Sequence, residues 1–200
     1  MIRFRQMAQS IDFRGVDTLM FTSKQAVYTA DKIDRRWRDF DSIAIGPATK
    51  KSIIDNGGKL LFQPKEFYGE SLALGVLERF KDRKILYLRP KKIIFDSCHL
   101  LSKYGVEIRE QVIYETECRS YSPLDKPPKN SIIIFTSPST IKCFLKNFGW
   151  ESSFTAIVIG NSTKEHLIDG SRFLIAKEPT IDSCIDRAKE FNLIGSKSRY

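Results

Sequence analysis

Asp17-Thr-Leu-Met-Phe-Thr-Ser-Lys-Gln-Ala-Val27 and Ser131-Ile-Ile-Ile-Phe-Thr-Ser-Pro-Ser-Thr-Ile141 are two versions of one phrase, and they decide the fold. The shared Phe-Thr-Ser stands at 21–23 and at 135–137, an offset of 135 − 21 = 114. A second pair, Ala44-Ile-Gly-Pro-Ala-Thr-Lys50 and Val158-Ile-Gly-Asn-Ser-Thr-Lys164, keeps the same offset, 160 − 46 = 114. A third match, Glu70-Ser71 with Asp182-Ser183, lies at 182 − 70 = 112, which fits a two-residue difference in a loop. Separate motifs holding one offset imply a structural unit used twice.

Each copy reads as alternating strands and helices. Residues 17–21 form an apolar run suited to a buried strand, and Thr22-Ser23 is placed to cap a following helix. Ile141, Phe144, Leu145 and Phe148 fall at i, i+3, i+4, i+7, one helical face that Gly149 ends. Residues 42–45 and 156–159 are the next strands, each followed by a Gly-x-x-Thr turn, and shorter strands are expected at 60–62 and 173–176. Helices at 71–80 and 181–191 complete the copies. Such alternation predicts parallel sheets covered by helices on both faces. Between the copies, 84–89 reads as a strand, Ile94, Cys98 and Leu101 as a helix ended by Gly105, and 106–117 as a long extended segment suited to a hinge. The expected organisation is a first hinge strand at 1–10, an α/β domain at 11–111, a returning hinge strand at 112–120 and a second α/β domain at 121–200.

Composition narrows the function. With 42% apolar residues the chain has material for a sizeable core, and its longest apolar runs are far short of a membrane span. Residues 1–13 lack the apolar centre of a signal peptide, so a cytoplasmic location is expected. The four cysteines (Cys98, Cys118, Cys143, Cys184) form no C-x-x-C pair and read as small core side chains in a reducing compartment. A net charge of +9 favours anionic partners, but the basic clusters are scattered and interrupted, which argues against nucleic acid.

In open parallel sheets, ligands sit at the carboxyl ends of the strands, where helix amino termini also point. Both Phe-Thr-Ser turns and both Gly-x-x-Thr turns fall there and offer backbone N–H groups, hydroxyls and the positive end of a helix dipole. Ser23, Thr49, Ser137 and Thr163 are therefore expected either to cap their helices or to bind a multiply anionic ligand. No G-x-S-x-G elbow, P-loop or dinucleotide fingerprint is present. Tyr114 is the most interesting proton donor.

The ordered series Phe21-Thr-Ser23, Ile45-Gly46-Pro-Ala-Thr49, Leu86-Tyr-Leu-Arg89, Val112-Ile-Tyr114-Glu-Thr116, Phe135-Thr-Ser-Pro138, Ile159-Gly160-Asn-Ser-Thr163 and Glu178-Pro-Thr180 resembles the uroporphyrinogen-III synthase family. The resemblance implies two doubly wound, flavodoxin-like α/β domains joined by a two-stranded hinge. It also implies a monomeric lyase of haem biosynthesis with no metal or cofactor, acting on a small-molecule tetrapyrrole and binding neither nucleic acid nor membrane. The family converts hydroxymethylbilane to uroporphyrinogen III with loss of water and inversion of the last pyrrole ring. Carried over residue by residue, Tyr114 is catalytic, and Ser23, Thr49, Arg89, Ser137, Pro138, Ser139, Ser162 and Thr163 bind substrate. The alternative is a non-catalytic two-domain binder of an anionic metabolite.

One departure concerns the start. Family members begin with a strand ending in Thr-Arg-Pro and a helix, whereas Met1-Ile-Arg-Phe4 already reads as hinge. The second domain is therefore expected to lack its central strand and to show about three strands against five in the first. An apolar edge would remain at residues 131–135, leaving the chain poorly stable or inactive unless such a strand is supplied.

Overall fold

The computed structural model describes the backbone of residues 1–197 and the side chains through Asn192. The chain divides into two compact units, Phe4–Thr116 and a second made of Met1–Arg3 with the chain from Glu117 onward. Nine strands and seven α-helices are present among the described residues.

The Phe4–Thr116 unit is built on a parallel sheet. Its strands are β2 (Thr18–Phe21), β3 (Asp41–Ala44), β4 (Lys59–Phe62), β5 (Lys84–Pro90) and the first half of β6 (Glu107–Cys118). They stand in the order β6-β5-β2-β3-β4, with β2 parallel to both β3 and β5, and β5 parallel to β6. Counted from β5 through β6 and then β2, β3 and β4, this is the 2-1-3-4-5 order of a flavodoxin-like sheet. All four residues of β2 are buried, as a central strand covered on both faces requires. On one face Leu19 and Phe21 pack with Ala26, Val27 and Ala30 of α1 (Lys24–Ile33) and with Trp37. On the other, Met20 and Ile43 pack with Leu72, Ala73 and Val76 of α3 (Gly69–Arg79) and with Leu101 of α4 (Ser97–Lys103).

β1 (Ile2–Gln6) lies beside β6 in the six-stranded sheet. Met7 N–H donates to the Ile113 carbonyl at 2.9 Å, and Arg119 N–H to the Met1 carbonyl at 2.9 Å. The residue numbers fall on one chain as they rise on the other, so the two strands form an antiparallel ribbon. Arg5–Glu115 and Arg3–Glu117 ion pairs at 2.7 and 2.8 Å decorate it. Exposed pairs of this kind contribute little to stability.

The other unit holds the second copy of the repeat. Its sheet is β7 (Ile132–Phe135), β8 (Thr155–Val158) and β9 (Arg172–Ile175), all parallel. The sequence offset reappears in the strands: 132 − 18 = 114 for β7 on β2, 155 − 41 = 114 for β8 on β3, and 172 − 59 = 113 for β9 on β4. The helices follow, with α5 (Pro138–Phe148) matching α1, α6 (Asn161–Lys164) matching α2 (Pro47–Asp55), and α7 (Ile181–Lys197) matching α3. Gly149, at φ 66°, ends α5 in a conformation that glycine adopts without a Cβ penalty, as expected from the sequence. β7 has β8 as its sheet neighbour and no counterpart of β5 on its other side among the described residues. An open groove of about 460 Å³ lies there, lined by Met1, Tyr121, Ile132, Ile134 and Phe148 among others. The core of this unit is aromatic, with Phe144 at its centre against Phe135, Phe148, Trp150 and Phe154.

The cysteine expectation is corrected. Cys118 and Cys143 form a disulfide, with Cα atoms 5.1 Å apart, while Cys98 and Cys184 are free. Their separation of 25 residues gives no local signal. The pair meets because the chain leaving β6 is laid against α5, where Asn147 Nδ2 donates to the Arg119 carbonyl and its Oδ1 accepts from Tyr121 N–H. A cross-link closing a loop of this size is worth ~3 kcal/mol. Reduction, or Cys143→Ser, is therefore expected to lower the melting temperature of this unit by at least about 5 °C in calorimetry. An unchanged transition under dithiothreitol would show that the cross-link carries no stability.

Candidate active site

In the Phe4–Thr116 unit, two of the predicted site residues, Ser23 and Tyr114, meet just beyond the end of β2. Thr22 and Ser23 follow its last residue and engage tyrosines rooted in the two opposite cores. Thr22 Oγ1 lies 2.7 Å from Tyr87 Oη of β5, and Ser23 Oγ lies 2.8 Å from Tyr114 Oη of β6. Ser23 is also the N-cap of α1: its extended backbone turns the chain, and its Oγ accepts the Ala26 N–H at 3.1 Å.

Tyr114 is 4% exposed and packs in the α1-side core. Phe4 stands edge-on to its ring at 5.8 Å, and the Tyr114 carbonyl accepts Lys91 N–H at 2.9 Å. Burial pushes the Tyr114 phenol above its ordinary range, and the Ser23 hydrogen bond pulls it partly back. Tyr87 behaves alike, raised by burial and eased by Thr22. Both phenols thus keep their protons through neutral pH.

The remaining predicted residues of this unit divide. Thr49 sits in the first turn of α2 and is buried, so its hydroxyl faces the protein more than solvent. Arg89 is half-buried and committed: Nη2 pairs with Glu110 at 2.5 Å, while Nη1 donates to the Pro90 and Lys91 carbonyls. That ion pair holds the guanidinium charged, and Nε is buried without a partner. A substrate carboxylate at Arg89 would have to compete with Glu110.

In the other unit, Ser137 is the N-cap of α5, with extended backbone at φ −170°. Ser137 N–H donates to Thr140 Oγ1 at 3.3 Å, and that hydroxyl donates back to the Ser137 carbonyl at 2.6 Å. Pro138 is half-buried at the first helical position, and Ser139 is exposed in the same turn. Ser162 is exposed, whereas Thr163 is buried, like its repeat partner Thr49. The two threonines of the repeat are therefore both turned inward, and Ser162, beside Thr163, offers its hydroxyl to solvent.

In the sequence Tyr87 stood within a motif without a role, Thr22 was given only a capping role beside Ser23, and Phe4 over Tyr114 was missed. Only Thr22 carried a positional signal, since it follows the end of β2 and adjoins Ser23; Tyr87 and Phe4 lie in the middle of β5 and β1. An open groove of about 910 Å³ beside the β4 edge is lined by Lys50, Phe62, Phe67 and Arg79 among others, and neither Ser23 nor Tyr114 lines it.

A family model described as uroporphyrinogen-III synthase HemD matches residues 2–186. The porphyrin biosynthesis protein HemD of Ruminiclostridium josui is 31% identical over 157 residues, which is 73% of this chain and 31% of that protein. The chain thus spans about a third of the length of that curated relative. The crystal structure of uroporphyrinogen-III synthetase from Helicobacter pylori superposes with a TM-score of 0.80 at 26% identity, over 95% of this chain and 90% of that one. A mutant uroporphyrinogen III synthase of Thermus thermophilus shares the fold at a TM-score of 0.59 and 12% identity, covering 94% and 86% of the two chains. With a repeat at one offset, a tyrosine at the return of β6 and a match over nearly the whole chain, this protein belongs to the uroporphyrinogen-III synthase family.

Proposed function

We propose that the chain is a hydro-lyase that closes hydroxymethylbilane to uroporphyrinogen III, inverting the last pyrrole ring and releasing water. The observation that carries this reading is the buried Tyr114 phenol, hydrogen-bonded to a serine at the end of β2. A protonated phenol held by a hydroxyl is equipped to donate to a departing hydroxyl group. The bilane closes without a catalyst to the uninverted isomer, so the enzyme's task is to favour one ring-closing geometry over another. That is a matter of positioning and of binding the transition state better than the substrate. We further propose that the protein works as a monomer without a cofactor, on a small-molecule polycarboxylate and no nucleic acid, and in the cytoplasm, where the Cys118 and Cys143 thiols would be kept reduced and the cross-link would add nothing to stability. No helix among the described residues is long and apolar enough to cross a membrane.

Ser137, Ser139 and Ser162, with the amino end of the eleven-residue α5, are the proposed holders of substrate carboxylates. Thr49, Arg89, Pro138 and Thr163 remain proposed contacts, of which Thr49 and Thr163 act chiefly by shaping their turns, and Ser23 is proposed to act through Tyr114. The net charge of +9 then acts at long range. Salt is expected to slow capture moderately, because steering is screened beyond roughly 8–10 Å. Ser137→Ala and Ser162→Ala are expected to raise the KM for hydroxymethylbilane at low and high salt alike. If salt abolished capture while both variants kept a normal KM, the hydroxyl-based reading of binding would be wrong. The activity itself is tested by incubation with hydroxymethylbilane and separation of the oxidised porphyrin isomers.

A further inference from the structure

Ser23 stands where the start of α1 meets the return of β6, and its hydrogen bonds can be accounted for one proton at a time. A serine hydroxyl has one proton to give and two lone pairs to accept with. One acceptor position is filled by Ala26 N–H at 3.1 Å, a donor supplied by the first turn of the ten-residue α1. The Ser23 proton takes no part in that bond, and Tyr114 Oη is 2.8 Å away. If Tyr114 were the donor of this pair, its proton would be spent on Ser23. If Ser23 is the donor, the phenol oxygen accepts and its proton is free for another partner. An N–H donating into Ser23 polarises that hydroxyl and strengthens it as a donor, and the positive end of α1 acts in the same sense.

We propose that Ser23 is a positioning residue, donating to Tyr114 Oη so that the phenol proton is left for the departing hydroxyl of the substrate. The inference rests on the role given to Tyr114 above, and it takes Ser23 out of the set that grips carboxylates. The step balances within the proposed overall reaction. The C–O bond of the terminal hydroxymethyl group breaks with both electrons leaving on oxygen, the phenol proton completes a water molecule, and the proton released on ring closure restores the phenol. During the interval the Ser23 hydrogen bond stabilises the phenolate oxygen. Phe4 packs edge-on against the ring at 5.8 Å, and the Lys91 N–H on the Tyr114 carbonyl fixes the strand that carries it.

The test is a double-mutant cycle with the full chain, read as kcat and KM for hydroxymethylbilane. Ser23→Ala is expected to lower kcat about five- to tenfold, the scale of one hydrogen bond, with KM unchanged. In a Tyr114→Phe background the same change should have no further effect on kcat. Ser23→Thr keeps the hydroxyl and should restore kcat. Ser23→Cys, which keeps the size with a much weaker donor, should behave like alanine and serves if alanine at the cap prevents folding. A rise in KM with kcat unchanged, or an equal loss of kcat in both backgrounds, would overturn the proposal. A readout without substrate separates it from the function itself: the pH titration of tyrosinate absorbance, taken as the difference from the matching Tyr114→Phe protein. The Tyr114 phenol should ionise at higher pH in Ser23→Ala than in the native protein. An equal or lower titration would overturn Ser23 as donor, whereas absence of type III product from the native chain would count against the function alone.

Discussion

Tyr114→Phe is expected to lower formation of the type III isomer by about tenfold or more while the folded structure survives. The hydroxyl removed is the one group at this strand end that is both buried and held protonated against the cap of α1, and a single acid or base is typically worth ~10²–10⁴ in rate. A phenol is a weak acid, so part of its value lies in orientation, and a loss near the lower end of that range follows. Retention of the fold is expected because the ring stays packed among Phe4, Ile113 and the α1 residues, and phenylalanine fills the same space. The partner left unpaired is Ser23, which keeps its cap to Ala26. The measurement is a direct assay of isomer formation beside a thermal melt. An unchanged rate would remove Tyr114 from the mechanism.

Phe144→Ala is expected to be the most damaging single truncation in the second unit. Phe144 meets Phe135 at 5.5 Å, Phe148 at 5.4 Å, Phe154 at 6.0 Å and Trp150 at 6.1 Å between ring centroids, so one side chain joins β7, α5 and the loop before β8. Truncating a buried phenylalanine to alanine costs about 3–5 kcal/mol. A domain of this size is stable by roughly 4–12 kcal/mol, and here the sheet has three strands and an apolar strand at its edge. Calorimetry should show the transition of this unit lowered by more than about 10 °C or lost. Type III formation should fall with it, because α5 carries Ser137 and Ser139 at its start. Leu124→Ala is the control, since that side chain is 95% exposed and should leave the transition in place. A Phe144→Ala protein that melts normally would mean that the aromatic cluster does not hold this unit together.

Most of the architecture was legible because it was written twice. Thr18 and the three apolar residues that follow it, closed by Thr-Ser, read as a buried strand running into a cap, and the second copy supported the reading at one offset. The run 106–117 was legible as extended for want of turn residues, and it is observed as strand β6 with β1 beside it. The thin second sheet also followed from the sequence, because β7 had a repeat partner in β2 while β5 had none. What did not show was anything decided by side chains meeting across distance. The Cys118–Cys143 bridge depends on where the chain lands after β6, the Arg89–Glu110 pair on the register of β5 with β6, and the Tyr87–Thr22 pair on the register of β2 with β5. The Gly-x-x-Thr turns were read as offering threonine hydroxyls. Helical geometry instead turns Thr49 and Thr163 inward and leaves Ser162 outside, a distinction of one residue that motif matching does not resolve.

The identity of the porphyrin isomer made is the most direct test of the proposed activity. Hydroxymethylbilane is incubated with the purified chain below its melting transition, the products are oxidised, and the porphyrins are separated beside a protein-free control. Type III is expected as the principal isomer, formed faster than spontaneous closure and lost in the Tyr114→Phe protein. Type I alone, at the spontaneous rate and from a chain shown to be folded, would contradict the assignment.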